Sequence, residues 1–239
     1  MKGKIAYRFE TPVYPSNILY VNLVDNYRCV NNCLFCSRPK KERDIGKPNI
    51  YERKAGSFLF LPKTPSIEEI IDSIDAEIRK NDAELAIIGL GEPLIYLPKV
   101  TEVIRQVKSK YDIKTRVDTN GLVKCIYENP VRKLEKAGLD EIRISLNAVN
   151  GQEYNQLCRP KFKNAFQNLI SFVKECLDSN IDTYVSFVIG FADGKIKNRN
   201  PKEYINFATS LGIKPKNIIL REHVKPIESK LIQPNNFRQ

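Results

Sequence analysis

No run of apolar residues in this 239-residue chain approaches the ~18 that a membrane helix needs. The opening stretch MKGKIAYRFETPVYP also lacks the apolar core of a secretory leader. The expectation is a soluble, cytoplasmic protein with no membrane partner. Low-complexity tracts, internal repeats and Gly/Ser-rich linkers are missing as well, which argues against global disorder and against a split by a flexible tether. The six cysteines are too few and too unevenly spaced for a secreted disulfide scaffold. In a reducing compartment, clustered cysteines more often bind metal or do redox chemistry. Histidine is nearly absent, with His223 the sole example.

What is present suits one large α/β domain. The chain is 42% hydrophobic and 28% charged, enough to build a sizeable core. Its net charge of +11 favours an anionic partner such as RNA, DNA or a phosphorylated substrate, or else reflects a Lys-rich surface with no partner. Eight basic residues against three acids between Arg38 and Lys63 supply a net +5 of that charge. They lie in one long irregular stretch, a basic insertion at about 37–65, which reads as a lid, a binding loop or a solvated insertion. Within it GSFLFLP forms a short strand or lies over a rim.

Short β-branched runs at 17–24, 84–90, 114–119, 141–147, 183–190 and 217–222 alternate with helix-period segments. The second and fifth are almost continuously apolar, as parallel strands covered on both faces are. Helices are predicted at 66–80, where Ser66 and Glu69 make a capping box, and at 100–108, 164–180 and 201–212. Six strands alternating with helices imply a parallel sheet wound in one direction, a partial (βα)6 barrel rather than a closed eight-unit one. The chain then reads as a single core domain over 1–239 with a short tail at 223–239. Active groups are expected at the carboxyl ends of the strands.

Cys29, Cys33 and Cys36 follow the first strand in the pattern C-x3-C-x2-C. A closed zinc site wants four ligands, and the only further candidates are His223 or the isolated Cys125, Cys158 and Cys176. A Cys33–Cys36 redox pair would leave Cys29 unexplained. Three thiolates in a tight loop suit a cubane iron–sulfur cluster whose fourth iron stays open. All three readings stand on spacing alone.

The pattern C-x3-C-x-aromatic-C, with Phe35 as the aromatic residue, resembles the signature of the radical SAM superfamily. Further segments resemble that family in order along the chain. IIGLGEP (87–93) is similar to its GGEP motif at Gly91, Glu92 and Pro93, with Leu90 in place of the first glycine. DTNG (118–121) is similar to its TNG turn at Asn120. ISLNA (144–148) resembles the ribose motif at Ser145 and Asn147. Arg159 stands where some relatives bind the SAM carboxylate, and VSFVIG (185–190) resembles the adenine-contact segment at Gly190.

The resemblance implies a 4Fe–4S cluster held by Cys29, Cys33 and Cys36. It also implies S-adenosylmethionine (SAM) positioned by Phe35, Gly91, Glu92, Pro93, Asn120, Ser145, Asn147 and Arg159. The implied reaction is reductive cleavage of SAM and hydrogen abstraction by a 5′-deoxyadenosyl radical, fed by a flavodoxin- or ferredoxin-type donor. The substrate classes are RNA or a nucleotide, a protein or small metabolite, and, outside catalysis, a zinc-binding module. The overall pattern is most similar to small stand-alone TatD-associated radical SAM proteins, and GLGEPL is also similar to radical SAM methyltransferases of ribosomal RNA. Cys176 falls on an apolar helix face and reads as core, as does Cys125. Cys158 reads as a buried thiol or a cavity-lining group, and His223 as polar surface or a substrate contact.

Overall fold

The computed structural model describes residues 3–9, 17–39, 58–191, 196 and 199–223. Residues 40–57 of the basic insertion and 224–239 of the tail lie outside the described residues. The strands are β1 (Ala6–Tyr7), β2 (Ile18–Val21), β3 (Glu84–Ile87), β4 (Lys114–Thr119), β5 (Glu141–Ser145), β6 (Asp182–Ile189) and β7 (Ile218–Glu222). They form one sheet in strict chain order. Five successive parallel pairings join β2 to β7, so the six expected strands are all present and wound in one direction. β1 is an addition, antiparallel to β2 with Ala6 opposite Val21. Two residues are too short to carry a period.

Several strands stop before their apolar runs do, because the chain turns at the rim. The N–H groups of Leu146 and Asn147 both reach the Ser186 carbonyl, at 2.9 and 3.2 Å, which ends the ladder of β5 at Ser145. Asn22, just past β2, folds its amide back to accept from Val24 N and donate to the Leu59 carbonyl at 2.7 Å.

The helices are α1 (Ile67–Glu77), α2 (Leu97–Lys110), α3 (Pro130–Ala137), α4 (Gly151–Cys158), α5 (Ala165–Leu177) and α6 (Pro201–Ser210). The Ser66–Glu69 capping box is made in both directions, at 3.0 and 2.8 Å. α1 ends at Glu77 because Ile78 turns extended. α3 and α4 are additions to the expected set. Each has eight residues and a narrow apolar face: Val131 and Leu134 in one, Tyr154, Leu157 and Cys158 in the other. Their signals are local ones, Pro130 opening α3 and Gly138 closing it, and Asn150 accepting from Glu153 N to cap α4.

Alternation along the strands divides the sheet into two faces. Leu19, Val21, Leu85, Ile87, Val117, Ile142, Ile144 and Val185 pack with the helices into the main core. The opposite face carries a small apolar group, Tyr7, Phe9, Tyr20, Leu59 and Ala86, beside β1 and β2. Leu59 belongs to the described end of GSFLFLP. That segment runs along residues 3–4, with Lys4 N to the Phe58 carbonyl at 2.8 Å, and pairs Leu61 with Asp25.

Further along, the same face is charged. Arg116 bridges Glu84 and Asp118, and Arg143 meets Glu141. Arg221 of β7 comes within 3.8 Å of Asp118 of β4. On a flat sheet three steps would separate those strands by about 14 Å, and the register puts Arg221 opposite Val188 rather than Tyr184, a further ~13 Å along, beyond the combined reach of the two side chains. The contact therefore requires this face to be concave, the curvature of a partial barrel open between β7 and β1.

Candidate active site

The loop after β2 turns through two left-handed residues, Asn26 (φ 47°) and Tyr27 (φ 50°). Asp25 anchors it. Its buried carboxylate accepts from Thr64 at 2.9 Å, from Asn26 at 3.2 Å and from the Tyr96 hydroxyl, and pairs with Arg28 at 3.3 Å. Burial alone would raise this carboxyl, yet those donors hold it below its usual range.

The cysteine stretch then docks on a segment far along the chain. Asn32 N donates to the Cys158 carbonyl at 3.0 Å, Leu34 N to Leu157 at 2.9 Å, and Lys161 N to Val30 at 2.9 Å. Asn31 pairs with Pro160, and its side chain donates to the buried Tyr154 hydroxyl at 3.0 Å. Cys36 N closes a turn onto the Cys33 carbonyl at 3.2 Å, and Arg38 reaches back to the Tyr27 and Asn31 carbonyls.

The rim of β3 abuts this loop from the other side. Glu92 N donates to the Arg28 carbonyl at 2.9 Å. A Cβ on Gly91 would stand 2.5 Å from Val24 Cγ1 and 2.6 Å from that carbonyl oxygen, so only glycine fits. Gly89 is as confined, 2.6 Å from Asn22 Oδ1.

The Glu92 side chain turns inward and organises the next strand end. It accepts from Leu94 N at 2.9 Å, Thr119 Oγ1 at 2.7 Å and Asn120 N at 2.6 Å. Among the described residues no cation pairs with it, and burial pushes its carboxyl up to about 7 despite those three donors. Pro93, buried, starts a short 3-10 turn over 93–96 that leads into α2. Asn120, held by Glu92, donates its amide to Cys29 Sγ at 3.5 Å, and Asn31 N donates to the same sulfur at 3.4 Å. Burial, with Glu92 beside it, raises the Cys29 thiol to about 11.

The remaining site residues fall into two groups. Ser145 is half-buried at the end of β5. Asn147 is left-handed (φ 59°) and its amide is engaged: Oδ1 accepts from Val188 N at 3.2 Å, while Nδ2 lies 3.5 Å from the Ser145 carbonyl and 3.9 Å from Cys158 Sγ. Arg159 is exposed and left-handed (φ 46°) at the end of α4. Phe35 stands apart from the Glu92 hub; its ring meets Phe191 edge-on at 6.3 Å, and Phe191 meets His223 at 4.9 Å. Next to that aromatic row, Gly190, Asn200, Glu222 and His223 line a cavity of about 560 Å³.

One neighbour of the cysteine loop is not apparent from spacing. Cys158 is fully buried and its sulfhydryl hydrogen-bonds Cys33. Burial and that bond both hold the thiol well above its ordinary range. Cys176 is buried in the core as expected, and Cys125 is half-buried against it.

All six cysteines are free thiols. Among the described residues, no three His, Cys, Asp or Glu side chains converge as the ligands of one metal ion must. Three thiols within one loop suit a cluster in which each sulfur takes its own iron.

A family model described as the radical SAM superfamily matches residues 23–196. The chain belongs to the radical SAM superfamily. With that membership come a 4Fe–4S cluster, SAM and the need for a reductant, and the zinc-module alternative falls away. A GTP 3′,8-cyclase of Lactiplantibacillus plantarum is 30% identical over 141 residues, covering 59% of this chain and 37% of the relative. The uncharacterized protein MJ0804 of Methanocaldococcus jannaschii is 31% identical over 123 residues, covering 51% and 40%. This radical SAM chain thus spans well under half the length of those relatives. Among solved structures, the FeFe-hydrogenase maturase HydG from Carboxydothermus hydrogenoformans superposes with a TM-score of 0.58 at 18% identity, over 87% of this chain and 45% of that one. Methylornithine synthase (PylB) does so at 0.53 and 12%, over 89% and 56%. Both show the shared fold. No helix of the described residues is long and apolar enough to cross a membrane.

Proposed function

We propose that this radical SAM enzyme acts on a nucleotide or a similarly anionic substrate bound against the concave face of the sheet. The observation that carries the catalytic part is the convergence of three strand ends on the cysteine loop: β2 supplies the thiols, β3 the Glu92 hub, and β4 the Asn120 amide on Cys29. In this reading Cys29, Cys33 and Cys36 hold the cluster, and Phe35, Gly91, Glu92, Pro93, Asn120, Ser145, Asn147 and Arg159 surround SAM. A cluster held there and reduced by a flavodoxin- or ferredoxin-type donor would supply the electron for reductive cleavage of SAM and so the means of abstracting a hydrogen atom from the substrate.

The chain's own residues act by position. Glu92 holds the backbone of Asn120 in place, and Gly91 allows the β3 rim to touch the loop. The aromatic row from Phe35 through Phe191 to His223 shields the opening from water. The substrate class is supported by the net +11 charge and by GTP cyclases among the relatives.

The test is anaerobic reconstitution with iron and sulfide, then dithionite and SAM, with 5′-deoxyadenosine measured. Product that disappears in Cys33→Ala is expected, and a nucleoside triphosphate should accelerate its formation. A cluster that turns over SAM but responds only to amino acids or peptides would move the substrate to the small-metabolite or protein class. Acceleration by RNA alone, weakening steeply with salt, would move it to RNA.

A further inference from the structure

The cysteine loop has an inner side and a solvent side. On the inner side the Asn120 amide meets Cys29 Sγ at 3.5 Å, and Glu92 N meets the Arg28 carbonyl at 2.9 Å. The solvent side is cationic. The loop, 25–38, and the segment docked beside it, 157–163, together hold Arg28, Arg38, Arg159, Lys161 and Lys163 against one acid, Asp25. That acid is buried and already accepts from Thr64, Asn26 and Tyr96. The Arg28 side chain is 59% exposed, and Lys161 and Lys163 are exposed as well. Among the described residues no carboxylate pairs with either lysine. Their backbone is nonetheless fixed to the loop, since Lys161 N donates to the Val30 carbonyl at 2.9 Å and Pro160 pairs with Asn31. Cys33 and Cys36, half-buried, lie in the loop that these cations border.

Like charges gathered without counterions repel one another and weaken the fold. A partner of opposite charge relieves that repulsion. Meeting the loop from solvent, such a partner comes close to the thiols but not to the concave face, where the substrate is placed above. What it can deliver there is an electron. We propose that Arg28, Lys161 and Lys163 form the docking surface for an acidic one-electron carrier protein that reduces the cluster across the solvent side of the loop. The inference rests on the cluster reading made above. One electron passes to the cluster, the carrier is oxidised by one electron, and no bond is made or broken. Complementary charge acts at range, speeding encounter and setting orientation more than it tightens the docked pair. That suits a carrier, which must dock, transfer and leave through a small interface. Arg159 is left to SAM, and Arg38 keeps its guanidinium on the Tyr27 and Asn31 carbonyls.

The experiment uses the reconstituted full chain, with an acidic flavodoxin as the probe carrier. A double variant, Lys161→Glu with Lys163→Glu, is compared with wild type and with a control, Lys80→Glu with Lys216→Glu. The control makes the same charge change at exposed lysines on the amino-end side of the sheet. Iron content and the extent of reduction by dithionite come first, and both variants should match wild type. Binding of oxidised flavodoxin is then read by calorimetry, and cluster bleaching by the flavodoxin hydroquinone is followed by stopped-flow absorbance. Neither readout depends on SAM turnover. The Lys161/Lys163 variant is expected to bind more weakly and to lose roughly ten-fold or more in second-order rate at low ionic strength, while the control stays within about two-fold. Raising the salt from about 20 mM to about 0.3 M should erase most of that difference, because the Debye length drops below ~10 Å. An unchanged rate in the Lys161/Lys163 variant would overturn the proposal while leaving the cluster reading intact. So would an equal loss in the control, which would make the effect one of net charge. Loss of iron or of dithionite reduction in the Lys161/Lys163 variant would overturn it by making these lysines part of the loop's support. RNA binding lost in that variant, with the flavodoxin rate intact, would assign the surface to a nucleic acid instead. A wild-type cluster reduced by dithionite but not by flavodoxin would overturn the acidic carrier. A wild-type chain that takes up no iron would bring down the cluster reading and this inference with it.

Discussion

The two ends of the sheet solve the same problem, buried polar groups at strand termini, by opposite means. At the amino ends, charge meets charge. Arg8 makes two bonds of 2.7 Å to Asp82, whose side chain is 1% exposed, and Lys108 meets Asp140, whose carboxylate also accepts from Thr115 N at 2.7 Å. The left-handed positions there are Gly138 and Gly212, which adopt them without strain. At the carboxyl ends one ion pair remains, Asp25 with Arg28, but Glu92 bonds two backbone N–H groups and a hydroxyl, Asn147 bonds backbone groups and a thiol, and Asn120 a thiol, with no cation on Glu92 among the described residues. All five described non-glycine residues with positive φ, Asn26, Tyr27, Asn129, Asn147 and Arg159, sit in connections on this side. One end is built for stability. The other tolerates strain and an unbalanced carboxyl in order to place thiols, a division expected where a scaffold carries a site.

The sharpest way to break this contrast is at the closest approach in the rim. Gly91→Val should displace the cysteine loop and cut iron incorporation by more than about ten-fold, with a lower melting temperature, because its side chain has no space beside Val24 and the Arg28 carbonyl. Iron assay on the folded fraction decides it; normal loading would show that the β3 rim does not support the loop. At the opposite end, Asp82→Ala removes both 2.7 Å bonds to the buried Arg8 guanidinium and should cost about 2–3 kcal/mol in urea unfolding. Its folded fraction should still load iron normally, and a matching loss of iron would mean that the two ends are not separable.

Acid and base should act with opposite sign on the two ends. Burial works against the Asp82 carboxylate, but Arg8 and the Arg79 N–H hold its carboxyl below 3.8, so its contribution is present above that pH and lost as pH falls through the lower folded value. Glu92 is raised from 4.5 to about 7, so the folded state holds that proton more tightly, and stability declines as pH rises between those values. Unfolding curves across pH 3 to 8 should lose the upper slope in Glu92→Gln and the lower one in Asp82→Asn; a variant that keeps its slope refutes the assignment for that end. The smallest effect is expected at Arg159. Replacing it with glycine should stabilise the chain by about 1 kcal/mol by relieving its left-handed backbone, while weakening SAM binding in a calorimetric titration. Unchanged affinity would remove Arg159 from the cofactor site.

Much of this contrast is legible in the amino-acid sequence, for identifiable reasons. β3 and β6 announce themselves as almost continuous apolar runs, whereas β4 and β5 show the alternation of strands with one apolar and one charged face. Helices α1, α2, α5 and α6 show a 3.6 period because their apolar stripes span several turns, whereas α3 and α4 have room for two or three buried residues each. The site is legible wherever its parts are contiguous, as in the cysteine spacing, GEP and TNG. It is not legible where the parts meet only after folding. Cys158 has no sequence neighbour that marks it, and its tie to Cys33 depends on how α4 docks. Asn147 shows the same limit from the other side: its motif is visible, but the commitment of its amide to Val188 and Cys158 depends on the register of β5 against β6.

The docking of the cysteine stretch on α4 also has a consequence in time. Asn31 and its partner Tyr154 are 123 positions apart. On a ribosome working at 5–20 residues per second, roughly 6–25 s separate their synthesis. Through that interval three thiols have emerged without the surface that orders them, and an oxidant or a stray metal ion meets them before their partner segment exists. Ordering of the cysteine loop is therefore a late event, waiting on the first four parallel strands and the helix that follows them.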